Sequence, residues 1–334
     1  MQKPTGRIDA DGNVHRDAHV VPLPQSVSPE ARRYLATPFP IGEDWPATAD
    51  AAAWKRQIAL VDAGLRQSLE AMLPTLPVRT EKRTLGGVDV YVATPHTLTP
   101  EQRGRAVLYL HGGGMIVFGG DLVRGQAALS ALQFGCTSYA IDYRMPPDHP
   151  YPAAVDDCVA AYRALIQELR PAQLVVGGSS AGGNLAAALA LRARDEGLPS
   201  PAGVVLLTPE VDMTESGDTF VTIGPVDMVL KGGLMSVNLL YAGGHDLKEP
   251  YLSPLFADFT RGFPPAFIQA GTRDVFLSNA VRLHRALRRT GIEAELHVWE
   301  GMPHGGFGGT APEDQELREE IQRFLARHCR ARRT

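Results

Sequence analysis

The chain has few of the residues and segments that mark several common classes of protein. It contains three cysteines in 334 residues, an odd number that cannot pair fully and is too small for a disulfide framework. No apolar run approaches the length that spans a membrane, and the first residues lack the apolar stretch of a secretory signal. We therefore expect a cytoplasmic protein without a membrane span, with Cys136 and Cys158 as buried thiols.

Basic patches and nucleotide-binding motifs are also scarce. The formal net charge is −4, and the one basic cluster lies at 328–333, so we expect no nucleic-acid partner. The glycine run at 112–114 lacks the spacing and the following lysine of a phosphate loop, and no dinucleotide fingerprint occurs.

Apolar residues make up 44% of the chain, which is enough for a sizeable core. Short apolar runs alternate with segments of helical period, a pattern that predicts a mostly parallel sheet with helices on both faces. The eight predicted strands lie at 79–85, 88–93, 106–110, 137–141, 173–177, 203–208, 265–270 and 293–299. The predicted core helices lie at 121–134, 153–169, 181–195, 278–290 and 313–327.

A serine between glycines stands where one strand meets a helix. The serine turn (178–182) has the sequence Gly178-Ser179-Ser180-Ala181-Gly182. Its glycines allow a sharply bent backbone that holds a hydroxyl out at the C-terminal edge of the sheet. The pattern is typical of a serine nucleophile, although a glycine-rich turn with an ordinary helix-capping serine would look the same.

The strand at 106–110 runs directly into a second glycine-rich segment, the oxyanion loop (111–114). Successive glycines leave backbone N–H groups unshielded, so a substrate oxygen can approach them closely. We expect the N–H groups of Gly113, Gly114 and Ala181 to form an oxyanion hole. A flexible linker is disfavoured because the glycines lie between a strand and an apolar segment, and we interpret His111 as an anchor of the loop.

Five motifs together resemble those of the hormone-sensitive-lipase-like group of α/β-hydrolases, a family of carboxylesterases. They are HGGG at 111–114, DYRMPPDHPYPAA at 142–154, GSSAG at 178–182, GTRD at 271–274 and GMPHG at 301–305. The resemblance covers residues 75–325, and its one plain departure is Ser179, where family members often carry Asp or Thr. It implies an α/β-hydrolase fold with a helical cap, and it leaves the subfamily open.

Two further residues complete a catalytic triad with Ser180. Asp274 follows the strand at 265–270 and His304 follows the strand at 293–299, and loops at the C-terminal ends of parallel strands face one crevice. The chain order Ser180, Asp274, His304 is the order of α/β-hydrolases. The other histidines lie in less favourable places, but three more acidic residues remain as alternatives to Asp274: Asp246, Glu249 and Glu300.

The chain divides into four predicted parts. Residues 1–75 form a tail and a cap helix, and the tail (1–48) either wraps the surface or is disordered. Residues 76–210 form the first part of the hydrolase core. Residues 211–258 form a cap insertion, here called the insertion, because they are too long for an ordinary connection between strands. Residues 259–334 complete the core.

These residues predict a serine carboxylesterase that hydrolyses small to medium hydrophobic esters, with lactones also open, through an acyl-enzyme on Ser180. The scheme needs no metal or organic cofactor. We expect Met115, Phe118, Phe220 and Met228 to line an apolar pocket, roofed with help from Trp45, Trp54 and Met235. An amidase or peptidase, a lyase on the same fold, and a non-catalytic ligand-binding homologue remain alternatives. The resemblance also leaves open a homodimer formed through 278–290 and 293–299.

Overall fold

The eight predicted strands form one sheet in the computed structural model of the chain, which describes residues 6–11, 14–16, 20–37, 45–230 and 233–329. The predicted tail therefore falls partly outside the described residues, as does most of the basic cluster at 328–333. Two short strands, β1 (Gly6–Ile8) and β2 (Val14–Arg16), pair with each other outside this sheet. The sheet strands are β3 (Val78–Leu85), β4 (Val88–Pro95), β5 (Ala106–Leu110), β6 (Thr137–Ile141), β7 (Leu174–Ser179), β8 (Gly203–Leu207), β9 (Ala266–Arg273) and β10 (Ala294–Pro303).

The strands lie in the order β10-β9-β8-β7-β5-β6-β4-β3. Strand β4 pairs antiparallel with β3 and β6, and the other neighbours pair parallel. Every residue of β5 and of β8 is buried, because helices cover both faces of the parallel part and leave no solvated side. The predicted mostly parallel α/β-hydrolase sheet is confirmed.

Ten helices accompany the strands in the described residues. They are α1 (Pro29–Leu35), α2 (Ala51–Met72), α3 (Pro100–Arg103), α4 (Leu122–Phe134), α5 (Ala153–Glu168), α6 (Ala181–Asp195), α7 (Thr219–Thr222), α8 (Met235–Ala242), α9 (Leu277–Arg289) and α10 (Pro312–His328). The larger core cluster joins α5, α6 and α9 to one face of the sheet, and a second cluster joins α4 and α10 to the other. Alternate strand residues therefore feed opposite layers, as for Leu108 and Tyr109 of β5.

Two strands run three or more residues past their predicted ends. Strand β9 continues to Arg273 instead of 270, and β10 continues to Pro303 instead of 299, with an irregular register after Trp299. These extensions place Asp274 and His304 immediately after adjacent strands, which brings their loops together at one edge of the sheet.

The described N-terminal residues pack against two parts of the core. Ala31 of α1 is buried in a cluster with Met302 and Phe307, close to the end of β10. Trp54 of α2 is fully buried and packs in a cluster with Ile116, beside the oxyanion loop. The described N-terminal residues thus pack near the end of β10, which precedes His304, and near the oxyanion loop.

All three cysteines are free and buried, which confirms the prediction of buried thiols at Cys136 and Cys158. Within the described parts of the chain, no helix combines the length and the apolar character needed to cross a membrane.

The start of α6 packs so tightly on the end of β5 that it leaves no space for a side chain. A Cβ atom at Gly182 would overlap the carbonyl oxygen of Leu110 and lie 2.6 Å from that of His111. Because both neighbours are backbone atoms, we expect Gly182→Ala to lower the free energy of unfolding by about 1–3 kcal/mol. Chemical denaturation followed by circular dichroism measures this loss.

The control is Gly64→Ala in α2, where no atom lies within 4 Å of the added methyl group. Alanine is favoured over glycine in helices by about 1 kcal/mol, so this variant should be at least as stable as the wild type. A Gly182→Ala protein that unfolds at the wild-type denaturant concentration would contradict the close approach of α6 and β5.

Candidate active site

Ser180 occupies a strained backbone conformation between β7 and α6. Its φ is 58° and its ψ is −123°, a region that residues with a side chain rarely adopt. Two hydrogen bonds hold the turn: Ser180 N donates to Leu207 O at 2.8 Å, and Asn184 N donates to Ser180 O at 3.1 Å. The bend turns the Ser180 side chain away from the helix and toward the loops that follow β9 and β10.

The loops after β7, β9 and β10 bring three predicted residues into one hydrogen-bonded row. His304 Nε2 lies 2.9 Å from Ser180 Oγ, and His304 Nδ1 lies 3.1 Å from Asp274 Oδ1. The same carboxylate oxygen accepts a hydrogen bond from Phe276 N at 3.0 Å. Glu249 instead accepts a hydrogen bond from the Tyr151 hydroxyl, so this alternative acid has a partner elsewhere.

The row is almost closed to solvent: Ser180 is 9% exposed, His304 6% and Asp274 0%. Burial disfavours the charged imidazolium, but the negative charges of Asp274, Asp227 and Glu210 outweigh it, so the pKa of His304 is raised above its ordinary value. The edge of the Phe276 ring faces the imidazole with ring centroids 5.0 Å apart. The imidazole is therefore well placed to take and hold a proton.

The oxyanion loop lies directly against the serine turn. A Cβ atom at Gly112 would lie 2.9 Å from Ser179 O and 3.4 Å from Ser180 Cβ, so only glycine permits this approach. Gly113 and Gly114 have φ values of 95° and 61°, and their N–H groups have no hydrogen-bond partner within the described chain.

A third backbone donor comes from the serine turn itself. Ala181 is the first residue of α6, and the N–H groups of a first helical turn have no partner within the helix. The N–H groups of Gly113, Gly114 and Ala181 thus belong to two segments in contact, at the positive end of the α6 dipole. Such an arrangement can bind an oxygen that gains negative charge.

His111 anchors this loop, as its sequence position predicts. The ring is fully buried and stacks on Tyr143 with centroids 4.1 Å apart, while the Tyr143 hydroxyl donates to His111 O at 2.8 Å. Burial lowers the pKa of His111 to about 4, so the ring stays neutral and does not compete with His304 as a base.

The four predicted pocket residues occupy different surroundings. Met115 is 1% exposed and packs in the larger core cluster, whereas Phe118 is half-buried and packs with Trp54 and its neighbours. Phe220 lies with its ring centroid 5.8 Å from that of Phe276, next to the triad. Met228 is half-buried in the insertion.

The suggested roof residues lie before α2, in α2 and at the start of α8. Trp45 stacks on Trp54 with ring centroids 5.5 Å apart, and Met235 begins α8 and is half-buried. Trp45 and Trp54 therefore pack chiefly on each other and on the segment after the oxyanion loop.

Two buried acids lie beside the triad. Glu210 is fully buried after β8, and burial raises its pKa to about 8. Its place after the strand at 203–208 allows two interpretations, a residue that borders the site and a cap of the next element, of which the sequence favours the cap. Asp227 is 1% exposed, and burial raises the pKa of its carboxyl above the ordinary value. The one sequence signal for Asp227 is that it is the sole acidic residue between 219 and 234.

Known proteins share this arrangement of strands and loops. A family model for the alpha/beta hydrolase fold matches residues 107–307, which include every triad and oxyanion position named above. An acetyl-hydrolase of Streptomyces hygroscopicus is 35% identical over 205 residues, covering 61% of this chain and 68% of that protein.

Solved structures extend the similarity to nearly the whole chain. The crystal structure of an esterase superposes with a TM-score of 0.88 at 34% identity, covering 94% of this chain and 98% of that one. An esterase from the bacterial hormone-sensitive lipase family superposes with a TM-score of 0.72 at 30% identity, covering 92% and 100%. The chain therefore belongs to the hormone-sensitive-lipase-like carboxylesterases of the α/β-hydrolase superfamily.

Proposed function

We propose that this chain is a serine carboxylesterase that hydrolyses small to medium hydrophobic esters through an acyl-enzyme on Ser180. The observation that carries the proposal is the hydrogen-bonded row of three side chains. Ser180 Oγ lies 2.9 Å from His304 Nε2, and His304 Nδ1 lies 3.1 Å from Asp274 Oδ1. Relatives named as esterases and as an acetyl-hydrolase support the same class of reaction. The chain is a carboxylic ester hydrolase.

The proposed reaction has two halves. The neutral His304 Nε2 accepts the Ser180 proton as Oγ attacks the ester carbonyl, and it then returns the proton to the departing alcohol. A water molecule that loses a proton to the same nitrogen releases the acyl group. Asp274 accepts a hydrogen bond from His304 Nδ1–H, which selects the reactive tautomer and stabilises the imidazolium.

The oxyanion formed in each half carries the charge that must be stabilised. We propose that the N–H groups of Gly113, Gly114 and Ala181 bind it, because they lie in two segments that contact each other beside Ser180. Loss of one such donor typically raises the barrier by about 3 kcal/mol. These donors act most strongly on an oxygen that is more negative in the transition state than in the substrate.

The substrate class follows from the apolar surroundings of the oxyanion loop. We propose that residues 1–75 and the insertion act as a cap, with Phe118, Phe220 and Met228 toward the substrate and Met115 supporting the loop from within the core. An acyl group of small to medium size suits such surroundings, and a lactone presents the same carbonyl. The free thiols at all three cysteines support our placement of the protein in the cytoplasm.

We also propose a homodimer formed through β10 and α9. Strand β10 is the last strand of the sheet, so within the described residues one side of its backbone has no neighbouring strand, and Val298 there is 42% exposed. Light scattering on purified protein should give twice the chain mass, and Val298→Lys should shift the population toward the monomer. A wild-type protein of single-chain mass at assay concentration would contradict this.

Replacement of the nucleophile tests the proposed function directly. With a series of p-nitrophenyl esters of increasing acyl length, we expect the highest kcat/KM on the short and medium members. Ser180→Ala should lower kcat by at least about 10⁴-fold, since triad residues act as a unit. His304→Ala should cost a similar factor, and Asp274→Asn somewhat less.

The matched control is Ser200→Ala, an exposed serine in a connecting segment, which should keep wild-type kcat and KM. A loss of less than tenfold in Ser180→Ala, with its fold intact by circular dichroism, would remove Ser180 as nucleophile.

The acid limb of the pH profile should report His304. Only the neutral imidazole accepts the serine proton, so kcat/KM should fall as pH decreases through the pKa of His304, which lies above its ordinary value. Asp274→Asn removes a negative charge that raises this pKa, whereas Asp227 and Glu210 remain. The inflection in the kcat/KM profile of Asp274→Asn should therefore lie at lower pH than that of the wild type.

The measurement is kcat/KM for a short p-nitrophenyl ester between about pH 5 and pH 9. Asp157→Asn, whose carboxylate pairs with Arg144 instead, should leave the inflection unchanged. An inflection that moves to higher pH in Asp274→Asn would be inconsistent with the proposed pairing.

A further inference from the structure

The residue after Asp274 is held by hydrogen bonds on both of its peptide groups. Val275 N donates to Asp227 Oδ2 at 3.0 Å, and Val275 O accepts a hydrogen bond from Thr219 Oγ1 at 2.6 Å. Asp227 and Thr219 both belong to the insertion, whereas Asp274 and Val275 belong to the core. The insertion thus forms hydrogen bonds with the backbone directly beside the proposed catalytic acid.

Asp227 connects two stretches of chain through its two carboxylate oxygens. Oδ2 accepts the Val275 N–H, and Oδ1 accepts the N–H groups of Val229 and Leu230 at 3.0 Å and 3.3 Å. The carboxylate is 1% exposed, so water cannot replace these bonds, and the loss of its acceptors would leave buried donors unpaired.

Thr219 makes the corresponding connection on the other side of Val275. Its hydroxyl donates to Val275 O and accepts from Ser278 N at 3.0 Å, while Thr219 N donates to Ser278 Oγ at 3.1 Å. Together with the bond to Asp227, four hydrogen bonds join the insertion to the acid turn (274–278).

The acid turn in turn sets the geometry of the triad. Phe276 N donates to Asp274 Oδ1, the oxygen that lies 3.1 Å from His304 Nδ1. The Phe276 ring contacts the imidazole edge-on and lies beside Phe220 of the insertion. A rotation of the Val275 peptide groups would therefore displace both the carboxylate and the ring that orient His304.

We propose that Asp227 and Thr219 are positioning residues that hold the acid turn, so that the catalytic acid is aligned only when the insertion is folded against the core. The proposal rests on the proposed function, because it assigns these residues to the alignment of Asp274. Asp227 is not a second catalytic acid, since the two ring nitrogens of His304 lie within hydrogen-bond distance of Ser180 and Asp274 instead. Its charge nevertheless lies near His304, so a test must separate position from charge.

Thr219→Val and Asp227→Asn make that separation. The first removes a hydroxyl with little change of shape and no change of charge, and the second removes the charge and one of the two acceptor oxygens. Each is made in the wild type and in Asp274→Asn, which gives two double-mutant cycles. Thr219→Ser restores a hydroxyl, and Asp157→Asn is the control for loss of a buried carboxylate that accepts a backbone N–H, that of Arg144.

We expect each substitution to lower kcat on a p-nitrophenyl ester about tenfold or more in the wild type, with little change in KM, since small displacements of catalytic groups are costly. In the Asp274→Asn background the same substitutions should change kcat less than about twofold, because no carboxylate remains to be aligned. Thr219→Ser should recover most of the kcat lost in Thr219→Val. The acid limb for Thr219→Val should move to lower pH, as for Asp274→Asn, whereas Asp157→Asn should keep both kcat and the acid limb.

Equal losses in both backgrounds, or no loss in the wild type, would overturn the proposal and leave the two residues with a purely structural role. Assays are run below the unfolding transition of each variant, so a lowered melting temperature does not imitate a lowered kcat. A different result would contradict the proposed function itself, namely wild-type turnover in Ser180→Ala or Asp274→Asn. An additive cycle with both of those variants impaired would instead reject only the positioning role.

Discussion

The site depends on backbone packing where the ends of β5 and β7 meet the start of α6. Gly182 and Gly112 allow main chain to lie against main chain there, and Ser180 lies between them at a φ of 58°. A side chain at either glycine would separate the oxyanion loop from the serine turn. The strain at Ser180 is held by hydrogen bonds from neighbouring segments, among them that from Ser180 N to Leu207 O on β8. The position of the hydroxyl is therefore set by the sheet rather than by its own loop.

The base reaches Ser180 from the loop after β10, at the same C-terminal edge of the sheet, and its environment combines opposing effects. Burial alone would lower the pKa of His304 and weaken it as a base, whereas three nearby carboxyl groups raise it. Only Asp274 touches the ring, and Asp227 and Glu210 act through their charge when ionised. Burial raises the pKa of Glu210 to about 8, so this carboxyl is largely uncharged at neutral pH and raises the pKa of His304 less than Asp274 does. The nearby carboxyl groups thus stabilise the imidazolium during the reaction, although burial keeps water away from the ring.

The core and the triad positions could be predicted from the sequence because their signals are local. Apolar runs such as 106–110 and 203–208 are short, uninterrupted and bounded by turn residues, and buried parallel strands produce this pattern. Asp227 could not be predicted in its role, because its three partners are backbone N–H groups and any residue other than proline supplies one. The full length of β9 and β10 was missed for a related reason: residues 271–273 and 300–303 contain glycine, proline and charged residues, and the pairs Gly271 with Trp299 and Arg273 with Pro303 form only because a neighbouring strand is present. The surroundings of Met115 and Phe118 likewise depend on where α2 packs, which no local pattern reveals.

Two proposed properties of the enzyme therefore depend on the insertion, the fit of the substrate and the alignment of Asp274, and they cannot be changed independently. Phe220 lies next to Thr219, and Met228 lies next to Asp227, so residues proposed to face the substrate alternate with residues that bind the acid turn. The bonds of Thr219 and Asp227 to Val275, at 2.6 Å and 3.0 Å, leave the backbone beside Phe220 and Met228 little freedom to adjust to a change in side-chain volume. Under the proposed function, substrate fit and alignment of the base are thus linked through one turn of backbone. A new acyl preference that arose in this segment would have to preserve that link, whereas α2 contacts the oxyanion side through Trp54.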